Sequence, residues 1–132
     1  MSRFDVVCKL LDEGRAADYA YGRNDCFMLG MRVIDALRGT EFEVRYRGRY
    51  RTLRGAKTAL RKEGHTSIVG LLRDILDAEP IGFGSAVVGD VAVCEREGRE
   101  HMTVFGGNAW HAISAEGDLA FTHADVKAAF KV

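Results

Sequence analysis

Cys26 closes the stretch Tyr21-Gly22-Arg23-Asn24-Asp25-Cys26, and the apolar Phe27, Leu29, Gly30, Val33, Ile34 and Leu37 after it read as a helix stopped at Gly39. A thiol at a helix start meets unpaired backbone N–H groups and the positive end of the helix dipole, both of which favour thiolate over thiol. To act as a nucleophile it also needs a base, and an imidazole is the usual one. Of the four histidines, His65 reads as an exposed loop residue and His123 as terminal, whereas His101 opens a strand and His111 lies ten positions on in the next. Pairing of those strands about Gly106-Gly107-Asn108 would set both histidines on one sheet face. One of the two would then orient the other, completing with Cys26 a nucleophile–base–orienter set. Each has a plainer reading taken singly. Asp25 is a favoured helix N-cap, Cys26 a small buried side chain, and a strand histidine a satisfied structural residue. Cys8 and Cys94 read as core.

These residues need elements to position them. Phe4, Val7, Cys8 and Leu11 keep helical spacing, so a first amphipathic helix spans Phe4–Leu11 with Cys8 on its buried face, and Asp12–Tyr21 is a polar connection. The helix after Cys26 carries few polar side chains, which places it in the middle of the fold. Thr52 opens another helix that closes at Gly64, and Ile68–Leu76 forms one more before the breaker-rich Glu79–Gly84. The period then changes. Ala86–Glu95 reads as a strand kinked at Gly89-Asp90, Arg96–Arg99 as a hairpin turn, and His101–Gly107, Asn108–Ile113 and Asp118–Thr122 as further strands. A short terminal segment covers Asp125–Val132. Helices first and an antiparallel meander second give an α+β fold, a single domain over residues 1–132.

Composition narrows the classes. Nineteen Lys and Arg balance nineteen Asp and Glu, so no overall field draws the chain to nucleic acid or to an anionic membrane. Arginines interleave with Tyr46 and Tyr50 between Phe42 and Arg54. That pattern allows single-stranded nucleic acid to bind by phosphate contact plus stacking. With the whole chain neutral, the preferred reading is a solvated, tyrosine-anchored turn, and neither nucleic acid nor membrane is expected as a partner. Met1-Ser-Arg-Phe-Asp is broken by charge too early for a signal peptide, and no apolar run approaches a membrane span, so synthesis into the cytoplasm is expected. Three widely spaced cysteines argue against a disulfide framework or a zinc knuckle. No metal or cofactor is expected.

In their order, Tyr21-Gly22 with Asp25-Cys26, Gly89-Asp90-Val91, His101-Met-Thr-Val-Phe-Gly-Gly-Asn and Trp110-His111-Ala112 resemble the motifs of the NlpC/P60 superfamily. These are papain-like cysteine peptidases that cut cell-wall peptides. The resemblance implies a papain-like fold whose nucleophile helix packs on a C-terminal antiparallel sheet. It implies Cys26 as nucleophile, His101 as base and His111 as its orienter, with Tyr21 and Asp25 lining the substrate site and peptidoglycan stem peptides as substrate. More closely, the chain resembles phage and prophage proteins related to NlpC/P60, with Gly48-Arg49-Tyr50-Arg51-Thr52 and Ala128-Ala129-Phe130-Lys131-Val132 among the matching pieces. That implies a place in the virion tail, either opening the wall or helping tail assembly with tail proteins as partners. The alternative is therefore a member that keeps the fold without turnover. Phe27 and Met28 depart from the serine and glycine usual after the cysteine, while His101, which many of the phage group lack, is present.

Overall fold

A computed structural model describes all residues, Met1 to Val132. Five helices precede one sheet, the α+β order expected: α1 Arg3–Ala16, α2 Cys26–Arg38, α3 Phe42–Tyr46, α4 Leu53–Lys62 and α5 Ile68–Leu76, then β1 Val91–Arg96, β2 Arg99–Phe105, β3 Trp110–Ser114, β4 Gly117–Phe121 and β5 Val126–Phe130.

Local chemistry sets most helix ends. Ser2 and Asp5 form a reciprocal capping box on α1, and Thr52 and Ser67 accept from the N–H groups of Gly55 and Gly70 to start α4 and α5. Gly39 closes α2 in the left-handed conformation, φ 73°. α1 runs five residues past the expected Leu11, because Gly14 packs directly against Leu29 and lets the two helices close together. Its buried face is Val7, Leu11 and Gly14. Phe4 turns to solvent and Cys8 is only partly covered, which corrects the face assigned from spacing.

The sheet is antiparallel in the order β4-β3-β2-β1-β5. Four strands make the expected meander. The terminal segment does more than expected and returns as β5 to pair with β1. Ala86–Asp90 is not strand, because Asp90 Oδ2 accepts from the Val87 N–H and Gly89 sits at φ 94°, which turns the chain before β1 begins.

One sheet face, with Val91, Val93, Met102, Val104 and Ile113, packs on α1, α2 and α5 to form the main core. Ala92, Cys94, Phe105, Trp110, Ala112, Phe121 and Ala129 make a second cluster on the other face. Arg96 at the end of β1 donates to the Ala120 carbonyl of β4 at 2.9 Å and lies over the Phe121 ring. Two strands, β2 and β3, lie between them in the sheet, so the contact records how strongly it curls. Asp90, fully buried, ties the molecule's two ends together: it pairs with Arg3 of α1, accepts from the Val132 N–H and lies 3.6 Å from Lys131 Nζ.

Candidate functional site

The motif around Cys26 is a turn in which nearly every polar group is used. Asp25 is the N-cap of α2. Its Oδ1 accepts from the Met28 N–H at 2.8 Å, and its Oδ2 accepts from the Gly22 N–H at 2.9 Å and the Tyr50 hydroxyl at 2.6 Å. Asn24 donates to the carbonyls of Gly14, Ala17 and Asp18, so it closes the end of α1, and its own carbonyl accepts from Arg32. Arg32 also reaches Glu43 of α3. Gly22 is required twice. Its φ is 80°, and a Cβ there would lie 2.1 Å from the Tyr50 carbonyl oxygen. The Gly48 N–H donates to the Gly22 carbonyl at 2.9 Å. The arginine- and tyrosine-rich segment is thus docked through its backbone and Tyr50 onto the loop before Cys26. Both of its tyrosines are buried, as the tyrosine-anchored reading expected.

Cys26 itself is the first residue of α2 and partly buried, in contact with both apolar clusters. It reaches both because the β2–β3 ladder holds only the pairs Val104↔His111 and Phe105↔Trp110 and is split below them. The N–H groups of Met102, Phe27 and Cys26 face the sulfur and favour thiolate. Burial, reinforced by the Asp25 carboxylate, outweighs them and pushes the thiol up to about 11. Tyr19 and Tyr50 border the same spot, and burial raises both phenols well above their ordinary value, so both remain hydroxyls. Tyr21 packs edge-on against Tyr19, ring centroids 5.4 Å apart.

The two strand histidines do not come together. His101 pairs with Cys94 and shares the face of Thr103 and Phe105, its ring 5.4 Å from that of Phe121. His111 pairs with Val104 and so faces the helices, where its Nδ1 lies 3.4 Å from Arg15 Nη2 and its ring packs against Gly106. The expectation of one shared face is overturned by register: the hairpin sets 104 opposite 111, and 101 and 104 point to opposite faces. Neither imidazole hydrogen-bonds the Cys26 thiol, and His111 does not orient His101. Burial lowers both histidines, helped by Arg99 and Arg96 at His101 and by Arg15 at His111, so both are neutral at pH 7. His65 is half-buried, 3.5 Å from Asp74, instead of lying in an exposed loop. His123 accepts from the Trp110 indole N–H at 3.0 Å and stacks on Phe83.

Two open recesses flank the motif. One of about 40 Å³ lies beside Tyr19, Asn24 and Ile113, and a wider one of about 290 Å³ lies beside Glu13, Arg23 and Arg32. Cys26 lines neither. No three His, Cys, Asp or Glu side chains converge as metal ligands would, and no helix is long and apolar enough to cross a membrane. Sequence reasoning missed Tyr19, Tyr50 and the Met102 N–H as the groups around Cys26. A buried N-cap aspartate with a free oxygen calls for a donor, and the tyrosine after Gly48-Arg49 was the available signal for Tyr50.

Searches of curated proteins and of solved structures each return no match. One family profile, described as a domain of unknown function (DUF6950), matches residues 5–132, which takes in the Cys26 turn, the docked arginine segment, Asp90 and the whole sheet: the chain belongs to the DUF6950 family.

Proposed function

We propose that this chain is a papain-like, NlpC/P60-type domain that has kept the scaffold of a cysteine hydrolase and serves as a phage tail or tail-assembly component without peptide-bond turnover. The observation that carries the reading is the state of Cys26: a thiol pushed up to about 11 with no imidazole bonded to it. Proton transfer from such a thiol to a neutral histidine held below its ordinary value is uphill. The ion pair that a cysteine peptidase uses is disfavoured in this arrangement. The residues of the motif are instead spent on structure, since Asp25 and Asn24 join α1, α2 and the docked segment.

A second reading, an active peptidase or amidase on peptidoglycan stem peptides, draws on one specific observation. The N–H groups of Cys26, Phe27 and Met102 favour thiolate at the start of α2, where an oxyanion would also find donors, and His101 adjoins Met102 on β2. In that chemistry the Cys26 sulfur bonds to the carbonyl carbon while its proton passes to His101. The proton then leaves with the departing amine, and water hydrolyses the thioester. It requires the His101 ring to leave Phe121 and turn through the split toward Cys26, with Tyr21 and Asp25 as substrate neighbours.

Digestion of purified peptidoglycan separates the two. We expect wild type and Cys26→Ala to leave the same muropeptide profile as buffer. New amino termini released by wild type and not by Cys26→Ala would establish the hydrolase.

A further inference from the structure

Overall neutrality conceals a strong segregation of charge. Residues 45–62 hold eight of the nineteen basic side chains and no acid, which leaves the rest of the chain with eleven basic and nineteen acidic residues. All eight are exposed. Arg47 pairs with Glu43 and Arg45 lies 4.0 Å from Glu63, whereas Arg49, Arg51, Arg54, Lys57, Arg61 and Lys62 form no ion pair. Structural ion pairing does not account for these six.

The structure also removes the stacking mode of binding. Tyr46 packs edge-on against Phe27, with ring centroids 5.3 Å apart, and the Tyr50 hydroxyl is bonded to Asp25. Neither ring is free to stack on a base, and Leu53 is the one large apolar side chain exposed between Arg49 and Lys62, so this surface meets a partner chiefly through its cations. On α4, Arg54, Lys57 and Arg61 follow i, i+3, i+7 spacing and share the solvent face. Seven residues of helix rise about 10.5 Å, close to three base-pair steps of a duplex at about 3.4 Å each. Arginine dominates the set, and its planar fork suits phosphate oxygens better than a point charge does.

We propose that the α4 face and the segment before it, Arg49 to Lys62, form a docking surface for double-stranded nucleic acid, held through the phosphate backbone without base recognition. This replaces the expectation drawn from whole-chain charge. It is independent of any chemistry at Cys26.

Fluorescence anisotropy with a labelled mixed-sequence DNA duplex tests it, using the full chain at 50 and 200 mM salt. With four to six phosphates contacted, affinity falls by about 10²–10³-fold between the two salts. Arg54→Gln/Lys57→Gln/Arg61→Gln together weaken binding at least about tenfold at 50 mM and flatten the salt slope by nearly 3. Arg49→Gln/Arg51→Gln, away from the helix, gives a second loss should the first variant fold poorly. Cys26→Ala binds like wild type. The proposal is overturned by absence of duplex binding at 50 mM salt, by unchanged binding in both basic-residue variants, or by anionic phosphatidylserine vesicles or polyglutamate binding more tightly than duplex.

Discussion

At the scale of single residues, the site turns on Asp25 and what it holds. Its carboxylate is buried and accepts from two backbone N–H groups and the Tyr50 hydroxyl. Tyr50→Phe removes one charge-assisted bond and should cost about 2 kcal/mol in urea unfolding. Asp25→Ala removes the cap and leaves Tyr50 and Gly22 unpaired, so it should cost more, about 3–4 kcal/mol. A Tyr50→Phe variant as stable as wild type would mean the 2.6 Å contact contributes nothing. The raised thiol has a linkage consequence as well. An acid whose folded value lies above its unfolded one binds more protons when folded, so Cys26 leaves stability untouched below about pH 9. It then destabilises the folded state progressively as pH climbs toward about 11. Cys26→Ser should flatten that alkaline decline in pH-dependent unfolding, and an unaltered profile would count against the raised value.

At the scale of elements, two glycines make opposite predictions. At Gly22 an added methyl meets the Tyr50 carbonyl at 2.1 Å in a left-handed conformation, and backbone cannot yield cheaply. Gly22→Ala should destabilise by at least about 3 kcal/mol and release the arginine segment, seen as faster amide exchange at Gly48. In the middle of α2, a Cβ at Gly30 would meet the methyl and sulfur of Met102, the movable end of a flexible side chain, and alanine also favours the helix. Gly30→Ala should therefore stay within about 1 kcal/mol of wild type. Equal effects at the two positions would refute the distinction. Elements were legible in the sequence where their ends are fixed locally. Thr52 opens α4 and Gly39 closes α2 as read from the chain alone, and α5 keeps the bounds Ile68–Leu76 that its periodicity gave. The far end of α1, and β5 beside β1, were not legible, because each depends on a distant partner: Leu29 for Gly14, and β1 for the terminal segment. The pairing of His101 with His111 failed for the same reason. Strand alternation gives each residue's parity within its own strand, but the face shared across a hairpin depends on register, and a shift of one residue reverses it.

At the scale of the whole molecule, Asp90 is the point where the two chain ends meet, fully buried against Arg3, the Val132 N–H and the Val87 N–H. Asp90→Ala should cost about 2–4 kcal/mol, since it leaves the Val87 and Val132 N–H groups without their acceptor and takes the carboxylate away from the partly exposed Arg3. Gly89-Asp90 was read in the sequence as a kink within a strand, and its role as a tie between termini could not be seen without the fold. The same holds for charge. A neutral total and a basic stretch were legible, whereas the positions of Glu43 and Glu63 were needed to show which of its arginines are paired.

The central claim is that Cys26 is a protonated thiol held in a structural turn, with no imidazole engaged. Its alkylation rate by iodoacetamide, followed by mass spectrometry from pH 6 to 11.5, addresses that directly. The rate should rise about tenfold per pH unit to a midpoint near 11, unchanged by His101→Ala. A midpoint below 8 that is lost on His101→Ala would contradict it and establish a thiolate–imidazolium pair.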